Sequence, residues 1–327
     1  MGDLLKVDHL ETSFLKDKVL TPLTNDISFT IKEGETVSIV GESGSGKSLT
    51  ALSIMGLLPK NGRVTKGSIS FLNQDLLALS DKEMEVIRGN DISMIFQDTM
   101  SALNPVFTIG TQMIESIMIH EKVNKKEASK KAIEMLKKVG LPRPEKIMKE
   151  YPFMLSGGMR QRAMIAMALS CNPKLLIADE PTTALDVTIQ AQIVQLLKDL
   201  KEEYHMSLLL ITHDMGLVAE MADRVLVMYA GEIIEETDVY SLFEQPRHPY
   251  TKALLASIPK VTDDVDKEIE AIPGVVPAHY EEITGCRFRN RCKRAFEECI
   301  NHPELKNIKD EHTVRCFAVF KEEGINE

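Results

Sequence analysis

The stretch that decides the fold of this chain is Gly41-Glu42-Ser43-Gly44-Ser45-Gly46-Lys47-Ser48. It matches the pattern G-x-x-x-x-G-K-[ST] in full, between a predicted apolar strand at Thr36–Val40 and a predicted helix from Leu49 onward. Glycines let backbone N–H groups curl around phosphate groups, and a helix that starts there adds the positive end of its dipole. A Gly/Ser turn that occurred by chance would not need a strand before it and a helix after it. The stretch therefore predicts a phosphate-binding loop in an α/β fold.

Two further positions in this unit predict magnesium chemistry. Lys47 would reach the β- and γ-phosphates, and the Ser48 hydroxyl would bind Mg²⁺. Leu175–Asp179 is an apolar strand that ends in a carboxylate, the Walker-B pattern whose Asp orients Mg²⁺. Glu180, directly after it, could polarise a water toward the γ-phosphate. An acidic pair after a strand is often only a helix cap, but the phosphate loop upstream favours the catalytic interpretation.

The gross composition excludes several classes of protein. The chain has 327 residues, 43% of them hydrophobic, and a formal net charge of -10. The length suits one large domain with a smaller appendage, and the acidic balance disfavours non-specific nucleic-acid binding. No apolar run reaches the length of a membrane span, and residues 1–6 lack the layout of a signal peptide. We therefore expect an intracellular protein, with any membrane-spanning part supplied by other subunits.

A second group of motifs resembles the ABC-transporter ATPases. Leu155-Ser156-Gly157-Gly158-Met159-Arg160-Gln161 is similar to their signature motif and lies, as theirs does, between the phosphate loop and Walker B. Further similarities follow in the family's order: Phe14 to the aromatic that stacks on adenine, Gln97 to the Q-loop, Ala184-Leu185-Asp186 to the D-loop, and His213 to the switch histidine. The resemblance covers residues 1 to about 235.

The resemblance implies a fold, a domain division and a set of roles. The fold would be an ABC-type P-loop NTPase with a mainly parallel sheet, an antiparallel β subdomain and a helical signature subdomain at about 99–172. The nucleotide-binding domain would span 1–235, and 236–327 would form a small cysteine-containing extension. Catalysis would fall to Glu180 and His213, and Mg²⁺ to Ser48, Gln97 and Asp179. ATP would contact Phe14, residues Gly41 to Leu49, Gln97, Ser156, Gly157, Gly158, Gln161 and Asp186.

The resemblance also implies that the active form is a dimer. Ser156 and the N–H groups of Gly157 and Gly158 open a predicted helix and form an anion site. In the family this site closes over the γ-phosphate held by the partner's phosphate loop, so that ATP joins two ATPase subunits head to tail. Every catalytic position is present in this chain.

Three stretches are similar to the dipeptide/oligopeptide/nickel importer branch of the family. They are residues 96–105 (FQDTMSALNP), 247–255 (RHPYTKALL) and 285–292 (GCRFRNRC). This implies peptide import, with nickel as the alternative, and a peripheral place on the cytoplasmic face of the membrane. The implied partners are a homologous second ATPase, two transmembrane permeases and, indirectly, an extracytoplasmic binding protein, with no nucleic acid.

Two other functions compete with transport. A DNA-repair ABC ATPase would carry a long coiled-coil insertion between the phosphate loop and the signature, and the stretch from Ser48 to Ser156 is short and lacks sustained heptads. A redox or iron sensor would use the cysteines near the C-terminus and hydrolyse ATP only secondarily.

Those cysteines, Cys286, Cys292, Cys299 and Cys316, have the spacing C-x5-C-x6-C-x16-C. Four thiolates suit a [4Fe–4S] cluster or a tetrahedral zinc, and the absence of a close C-x2-4-C pair favours iron–sulfur, as does the importer branch. Unmetallated cysteines or disulfides stay open. The nearby basic residues would either offset thiolate charge or form a solvated face: Arg287, Arg289, Arg291, Lys293 and Arg294. Cys171 is expected in the core, and ATP binding is expected to be independent of the four cysteines.

Overall fold

The computed structural model describes residues 2–183, 185–258, 272–277, 279–309 and 311–325. The chain divides into two compact units. The helical unit comprises Met1–Gly2, Lys32–Glu35 and Ala78–Leu210. The phosphate-loop unit comprises Asp3–Ile31, Thr36–Leu77 and Ile211–Glu327, so the C-terminal extension belongs to the same unit as the phosphate loop.

The strands of the described residues are β1 (Asp3–Lys16), β2 (Val19–Lys32), β3 (Thr36–Val40), β4 (Gly62–Phe71), β5 (Gln74–Asp75), β6 (Ile92–Ile95), β7 (Leu175–Asp179), β8 (Ser207–Thr212), β9 (Arg224–Tyr229), β10 (Glu232–Asp238), β11 (Lys306–Lys309) and β12 (His312–Val314).

The helices of the described residues are α1 (Lys47–Met55), α2 (Asp81–Ile87), α3 (Thr99–Ala102), α4 (Ile109–Glu121), α5 (Lys125–Lys138), α6 (Pro144–Ile147), α7 (Gly157–Ala168), α8 (Val187–Tyr204), α9 (Met215–Met221), α10 (Val239–Glu244), α11 (Pro249–Ala256) and α12 (Phe317–Glu323).

An antiparallel sheet with the order β2-β1-β4-β5 forms the N-terminal part of the phosphate-loop unit. The sequence predicted short β-like runs here, whereas β1 and β2 are each 14 residues long. They are joined by Asp17 and Lys18, whose φ angles are 50° and 66°. A two-residue turn with both φ positive matches the right-handed twist of its strands, so the hairpin continues without a break.

A second sheet region in this unit carries the phosphate loop. All five residues of β3 are buried, and β3 pairs in parallel with β9, with Val37 opposite Arg224. β9 pairs antiparallel with β10, β10 with β12, and β12 with β11. Because β11 and β12 come from the C-terminal extension, that extension continues the sheet that holds β3.

The core of the same unit contains a cluster of aromatic rings. Tyr229, Tyr250 and Phe288 are buried with Val40, the residue directly before the phosphate loop. The ring centroids of Tyr229 lie 4.9 Å from Tyr250 and 5.1 Å from Phe288. Such ring pairs add roughly 0.5–1.5 kcal/mol each beyond the area they bury. The extension is therefore packed into the core beside the start of the loop.

The helical unit contains the parallel pair β6 and β7, with Ile92 opposite Leu175. Its helices follow local sequence signals. Asn124 and Glu127 form a capping box at α5, and Ser156 caps α7 by accepting from the N–H of Met159, which confirms the predicted helix start. Gly140, with a φ of 74°, follows the end of α5, where a left-handed backbone favours glycine.

Candidate functional site

The phosphate loop joins β3 to α1 through glycines that no other residue could replace. Gly41 and Gly46 have φ angles of 153° and 102°. A Cβ on Gly41 would lie 2.2 Å from the carbonyl oxygen of Met228, so no larger residue fits. Gly46 caps α1 without a side-chain hydrogen bond, which leaves the first N–H groups of the helix directed at a potential anion.

Lys47 lies inside this loop. It is 5% exposed, and its Nζ donates to the carbonyl oxygens of Gly41 at 2.7 Å and Glu42 at 3.0 Å. Phosphate oxygens are charged and accept stronger hydrogen bonds than neutral carbonyls. The ammonium group therefore lies inside the loop, and its contact with the β- and γ-phosphates stays a prediction.

Glu42 is held by two side chains that sequence reasoning did not assign to the loop. Its backbone N–H donates to the Tyr250 hydroxyl at 2.9 Å. Its carboxylate oxygens accept from Arg291, with Oε2 at 2.7 Å and Oε1 at 3.0 Å. Arg291 and Glu42 are separated by 249 positions, so no local spacing could have indicated the pair.

Three of the basic residues beside the cysteines form ion pairs, and two of these three are shielded from solvent. Arg287 contacts Glu232 at 3.2 Å and the Ala230 carbonyl, and its side chain is 10% exposed. Arg291 is 6% exposed, and Arg294 pairs with Glu322. The solvated-face interpretation is therefore wrong for Arg287 and Arg291.

In the helical unit, Gln97 and Glu180 meet. The Gln97 Nε2 donates to Glu180 Oε2 at 2.9 Å, and the Thr183 hydroxyl donates to the same oxygen at 2.8 Å. The φ of Glu180 is 47°, an uncommon value for a non-glycine residue and one that occurs often at functional sites. Two motifs that stand 83 positions apart are thus joined through one carboxylate.

Asp179 precedes Glu180 as the last residue of β7 and is 4% exposed. The signature helix reaches the segment that follows, because Gln161 Nε2 donates to the Pro181 carbonyl at 2.6 Å. This contact gives Gln161 a structural role in holding the Walker-B segment. Its predicted contact with ATP stays a prediction.

The start of α7 is shaped by small residues. A Cβ on Gly158 would lie 3.1 Å from Ile189 Cγ2, whereas a Cβ on Gly157 would have no atom within 4 Å. Asp186 caps α8 by accepting from the Ile189 N–H at 3.0 Å. Asp186 therefore has a structural role besides its predicted one, and Ala184 of the D-loop pattern lies outside the described residues.

His213 and Phe14 lie in the phosphate-loop unit. His213 is exposed and follows the end of β8. Phe14 is half-buried, and its ring covers Gly62, its partner across β1 and β4. β1 is tied to α1 by a 2.8 Å hydrogen bond between the Thr12 and Ser53 hydroxyls. Stacking of Phe14 on adenine stays a prediction.

The predicted nucleotide residues are thus divided between the units. The phosphate-loop unit contains Phe14, the residues from Gly41 to Leu49 and His213. The helical unit contains Gln97, Ser156, Gly157, Gly158, Gln161, Asp179, Glu180 and Asp186.

The four clustered cysteines are free thiols, and the thiol of Cys286 interacts electrostatically with the other three. The N–H of Cys286 donates to the carbonyl of Cys299 at 3.1 Å. Burial, with a further contribution from the other three thiols, raises the pKa of Cys286 to about 12. Burial also raises the pKa of Cys316. Such thiols stay protonated unless a cation compensates the thiolate charge.

The arrangement of these thiols bears on the metal that they could hold. Among the described residues, no three of the four sulfurs lie within 4.8 Å of one another. Tetrahedral zinc with Zn–S bonds of about 2.3 Å would require sulfur–sulfur separations of ~3.8 Å. An iron–sulfur cluster occupies more space between its ligands than a single zinc ion does, and the assignment of these thiols to either metal stays a prediction.

Cys171 is buried in the turn after α7, and burial raises its pKa. Its buried position agrees with the prediction.

Comparisons with known proteins agree with this geometry. Residues 24–183 match the family described as ABC transporter, and residues 234–299 match the oligopeptide/dipeptide transporter C-terminal region. The oligopeptide transport ATP-binding protein AppD of Bacillus subtilis is 53% identical over 326 residues, covering 99% of each chain. The dipeptide transport ATP-binding protein DppD of Escherichia coli is 46% identical over 322 residues, covering 98% of each.

Among solved structures, the ATP-binding cassette MJ0796, a dimer in a post-hydrolysis state with ADP and Pi, has a TM-score of 0.65 and 31% identity. The match covers 72% of this chain and 98% of that one. Fold, phosphate loop and signature together define an ATP-binding cassette of the ABC class. The chain belongs to the family of ATP-binding subunits of ABC transporters, in the branch that has the oligopeptide/dipeptide transporter C-terminal region.

No helix of the described residues combines the length and the apolar character that a bilayer span requires.

Proposed function

We propose that this ATP-hydrolysing subunit energises the import of dipeptides or oligopeptides. The observation that carries the proposal is similarity along nearly the whole chain, including the C-terminal region at 234–299, to peptide-transport ATP-binding proteins. That region contains none of the phosphate or magnesium motifs, so ATP hydrolysis alone would not account for it. The comparisons give nickel import no specific support.

The roles of the nucleotide residues follow from their chemistry. The loop from Gly41 to Ser48 would surround the phosphates with N–H groups and the Lys47 ammonium. Ser48, Gln97 and Asp179 would hold Mg²⁺, which when bound neutralises charge on the β- and γ-phosphates. Phe14 would stack on adenine.

Glu180 would orient the water that attacks the γ-phosphate. Gln97 and Thr183 hold one of its carboxylate oxygens at 2.9 Å and 2.8 Å, which keeps the side chain in one place. In-line attack depends on such positioning more than on covalent chemistry. His213 would contact the γ-phosphate and keep the water in line.

Hydrolysis would require a second, homologous subunit. Ser156, Gly157 and Gly158 at the start of α7 would close over the nucleotide held by the partner's phosphate loop. The open space around the Cβ position of Gly157 leaves room for a phosphate to approach. A head-to-tail dimer joined by ATP would then drive two permease subunits from the cytoplasmic face, with the extracytoplasmic binding protein delivering peptide.

The cargo is tested by uptake in cells that lack this chain. Labelled dipeptide, labelled pentapeptide and nickel ion would be offered separately, with complementation by the wild-type chain and by Lys47→Ala. We expect loss of peptide uptake, rescued by the wild type and not by Lys47→Ala. Unchanged peptide uptake with lost nickel uptake would replace the peptide assignment by nickel.

We also propose that Cys286, Cys292, Cys299 and Cys316 hold a [4Fe–4S] cluster. The four free thiols and their spacing along the chain support it. When bound, such a cluster supplies one-electron redox chemistry or a structural cross-link.

The cluster proposal is tested on protein purified anaerobically. We expect a brown protein with about four irons per chain, the composition of a [4Fe–4S] cluster. A colourless protein with stoichiometric zinc would assign the site to zinc, and a metal-free protein would remove the metal site altogether.

A further inference from the structure

Glu42 is the point at which the C-terminal extension contacts the phosphate loop. Its backbone N–H is bound by Tyr250, and its carboxylate by Arg291. Its carbonyl oxygen accepts from Lys47 Nζ at 3.0 Å and from the Ser45 N–H at 3.2 Å. Glu42 is therefore contacted both by Lys47, which is predicted to bind the phosphates, and by two side chains of the extension.

The Arg291 guanidinium is fixed by hydrogen bonds from all of its N–H groups. Besides its two bonds to the carboxylate, its Nε donates to the Pro273 carbonyl at 2.7 Å. The remaining donors reach the Gly274 carbonyl at 3.2 Å and the Tyr229 hydroxyl at 3.4 Å. A guanidinium has five N–H groups, and these five bonds use them all. The Arg291 side chain is 6% exposed and that of Glu42 is 28% exposed, so loss of Glu42 would leave a nearly buried charge without its anionic partner.

Arg291 is also attached directly to the cysteine site. It ends a short 3₁₀ turn, Arg289–Arg291, that lies between Cys286 and Cys292. The N–H of Arg289 donates to the Cys286 carbonyl at 3.0 Å, and the N–H of Cys292 donates to the Arg289 carbonyl at 3.2 Å. The backbone that carries the two thiols is thus the backbone that places the guanidinium.

We propose that Arg291 is a positioning residue for ATP binding: through Glu42 it holds the phosphate loop in its binding conformation, and so links nucleotide affinity to the order of the cysteine site. Arg291 touches no nucleotide in this role. The proposal requires the phosphate loop to bind ATP but does not require that the cysteines hold iron, so it can fail independently of the cluster proposal.

The mechanism is preorganisation. A loop that is already ordered loses less conformational freedom when it binds phosphate, so removal of its ties should weaken binding while leaving hydrolysis of bound ATP almost unchanged. Tyr250 ties the same residue through its backbone, so loss of the Tyr250 hydroxyl should act in the same direction but more weakly.

The test compares Arg291→Lys, Glu42→Gln and the double variant as full-length protein. Lysine cannot make the bidentate contact, and glutamine removes the charge without changing the shape. Binding of the fluorescent analogue TNP-ATP with Mg²⁺ should weaken about tenfold in each, the scale of one lost charge-assisted hydrogen bond. The double variant should bind TNP-ATP no more weakly than the weaker-binding single variant, because both substitutions remove the same interaction. In Arg291→Lys, whose side chain lies outside the phosphate loop, the kcat at saturating ATP should stay near the wild-type value.

Arg289→Lys is the matched control, since it changes an arginine on the same turn, and it should bind TNP-ATP as the wild type does. Wild-type affinity in folded Arg291→Lys and Glu42→Gln would overturn the proposal, as would effects that simply add in the double variant. If Arg291→Lys does not fold, Glu42→Gln and Tyr250→Phe decide it, because both leave Arg291 and the cysteines in place. Wild-type affinity in those two variants would again overturn it.

Discussion

At position 180 a single carboxylate connects two motifs and sits on an unusual backbone. Gln97 and Thr183 both donate to Glu180 Oε2, and the residue has a φ of 47°. A non-glycine residue in this region costs about 1–3 kcal/mol unless its surroundings hold it. Here the side-chain bonds and the buried strand β7 do so. The Glu180 side chain is thereby held in one position, which the proposed water-orienting role would require.

We predict that Glu180→Gln binds ATP normally and hydrolyses it roughly 10²–10⁴-fold more slowly, the range for loss of a general base. Glutamine has the same shape but is a far weaker base, so the phosphate-binding parts should be unaffected. Phosphate release at saturating ATP and TNP-ATP binding measure the two effects. The exposed Glu85 of α2 gives the control Glu85→Gln, which should behave as the wild type. Wild-type turnover in Glu180→Gln would remove Glu180 from this role.

At the scale of elements, the helix starts combine local and functional roles. Asn124 and Ser156 each cap a helix of the helical unit, α5 and α7. Asn124 accepts from the N–H groups of Lys126 and Glu127, whereas Ser156 makes one long bond of 3.4 Å to Met159. A side chain that caps so weakly is free to accept or donate elsewhere, which is consistent with a contact to the partner's nucleotide.

These two caps provide a matched pair of substitutions. Asn124→Ala and Ser156→Ala should each lower the free energy of unfolding by about 0.5–2 kcal/mol, since each removes an N-cap. Only Ser156→Ala should also lower ATP turnover. Thermal unfolding and ATPase assays on both variants check this expectation. Equal turnover in the two variants would assign Ser156 a capping role alone.

At the scale of the whole molecule, the extension shares a unit with the phosphate loop. It contributes β11 and β12 to the sheet region that holds β3, and Tyr250 and Phe288 to the buried core. The extension is therefore packed in the same compact unit as the phosphate loop. The independence of ATP binding from the cysteines stays a prediction, and the contact between Arg291 and Glu42 gives a reason to test the opposite outcome.

We predict that Cys292→Ser loses the visible absorption of the cluster and also binds TNP-ATP more weakly. A hydroxyl is a far poorer iron ligand than a thiolate, and loss of the cluster should loosen the turn that places Arg291. Absorbance, iron content and TNP-ATP titration on one preparation measure both effects. Cys171→Ala, in the helical unit, is the control and should change neither. Loss of the absorption with unchanged nucleotide affinity would show that the cluster does not influence ATP binding by the phosphate loop.

Several features were predictable because their signals are local. The phosphate loop needs glycines at particular φ angles between a strand and a helix, and all of these lie within consecutive residues. Asn124 and Ser156 are N-capping residues that mark the starts of α5 and α7, and Gly140 marks the end of α5. The long hairpin of β1 and β2 was missed because its turn uses Asp17 and Lys18 rather than glycine.

The sequence alone determined the chemistry of this protein: a phosphate loop, a Walker-B carboxylate, a signature and four clustered thiols, each defined by residue types at short spacing. Only the tertiary structure decided which of these act on one another. Gln97 reaches Glu180 across 83 positions, and Arg291 reaches Glu42 across 249. Such pairings depend on strand order and core packing, which bring distant segments together without leaving a periodicity or motif in the chain.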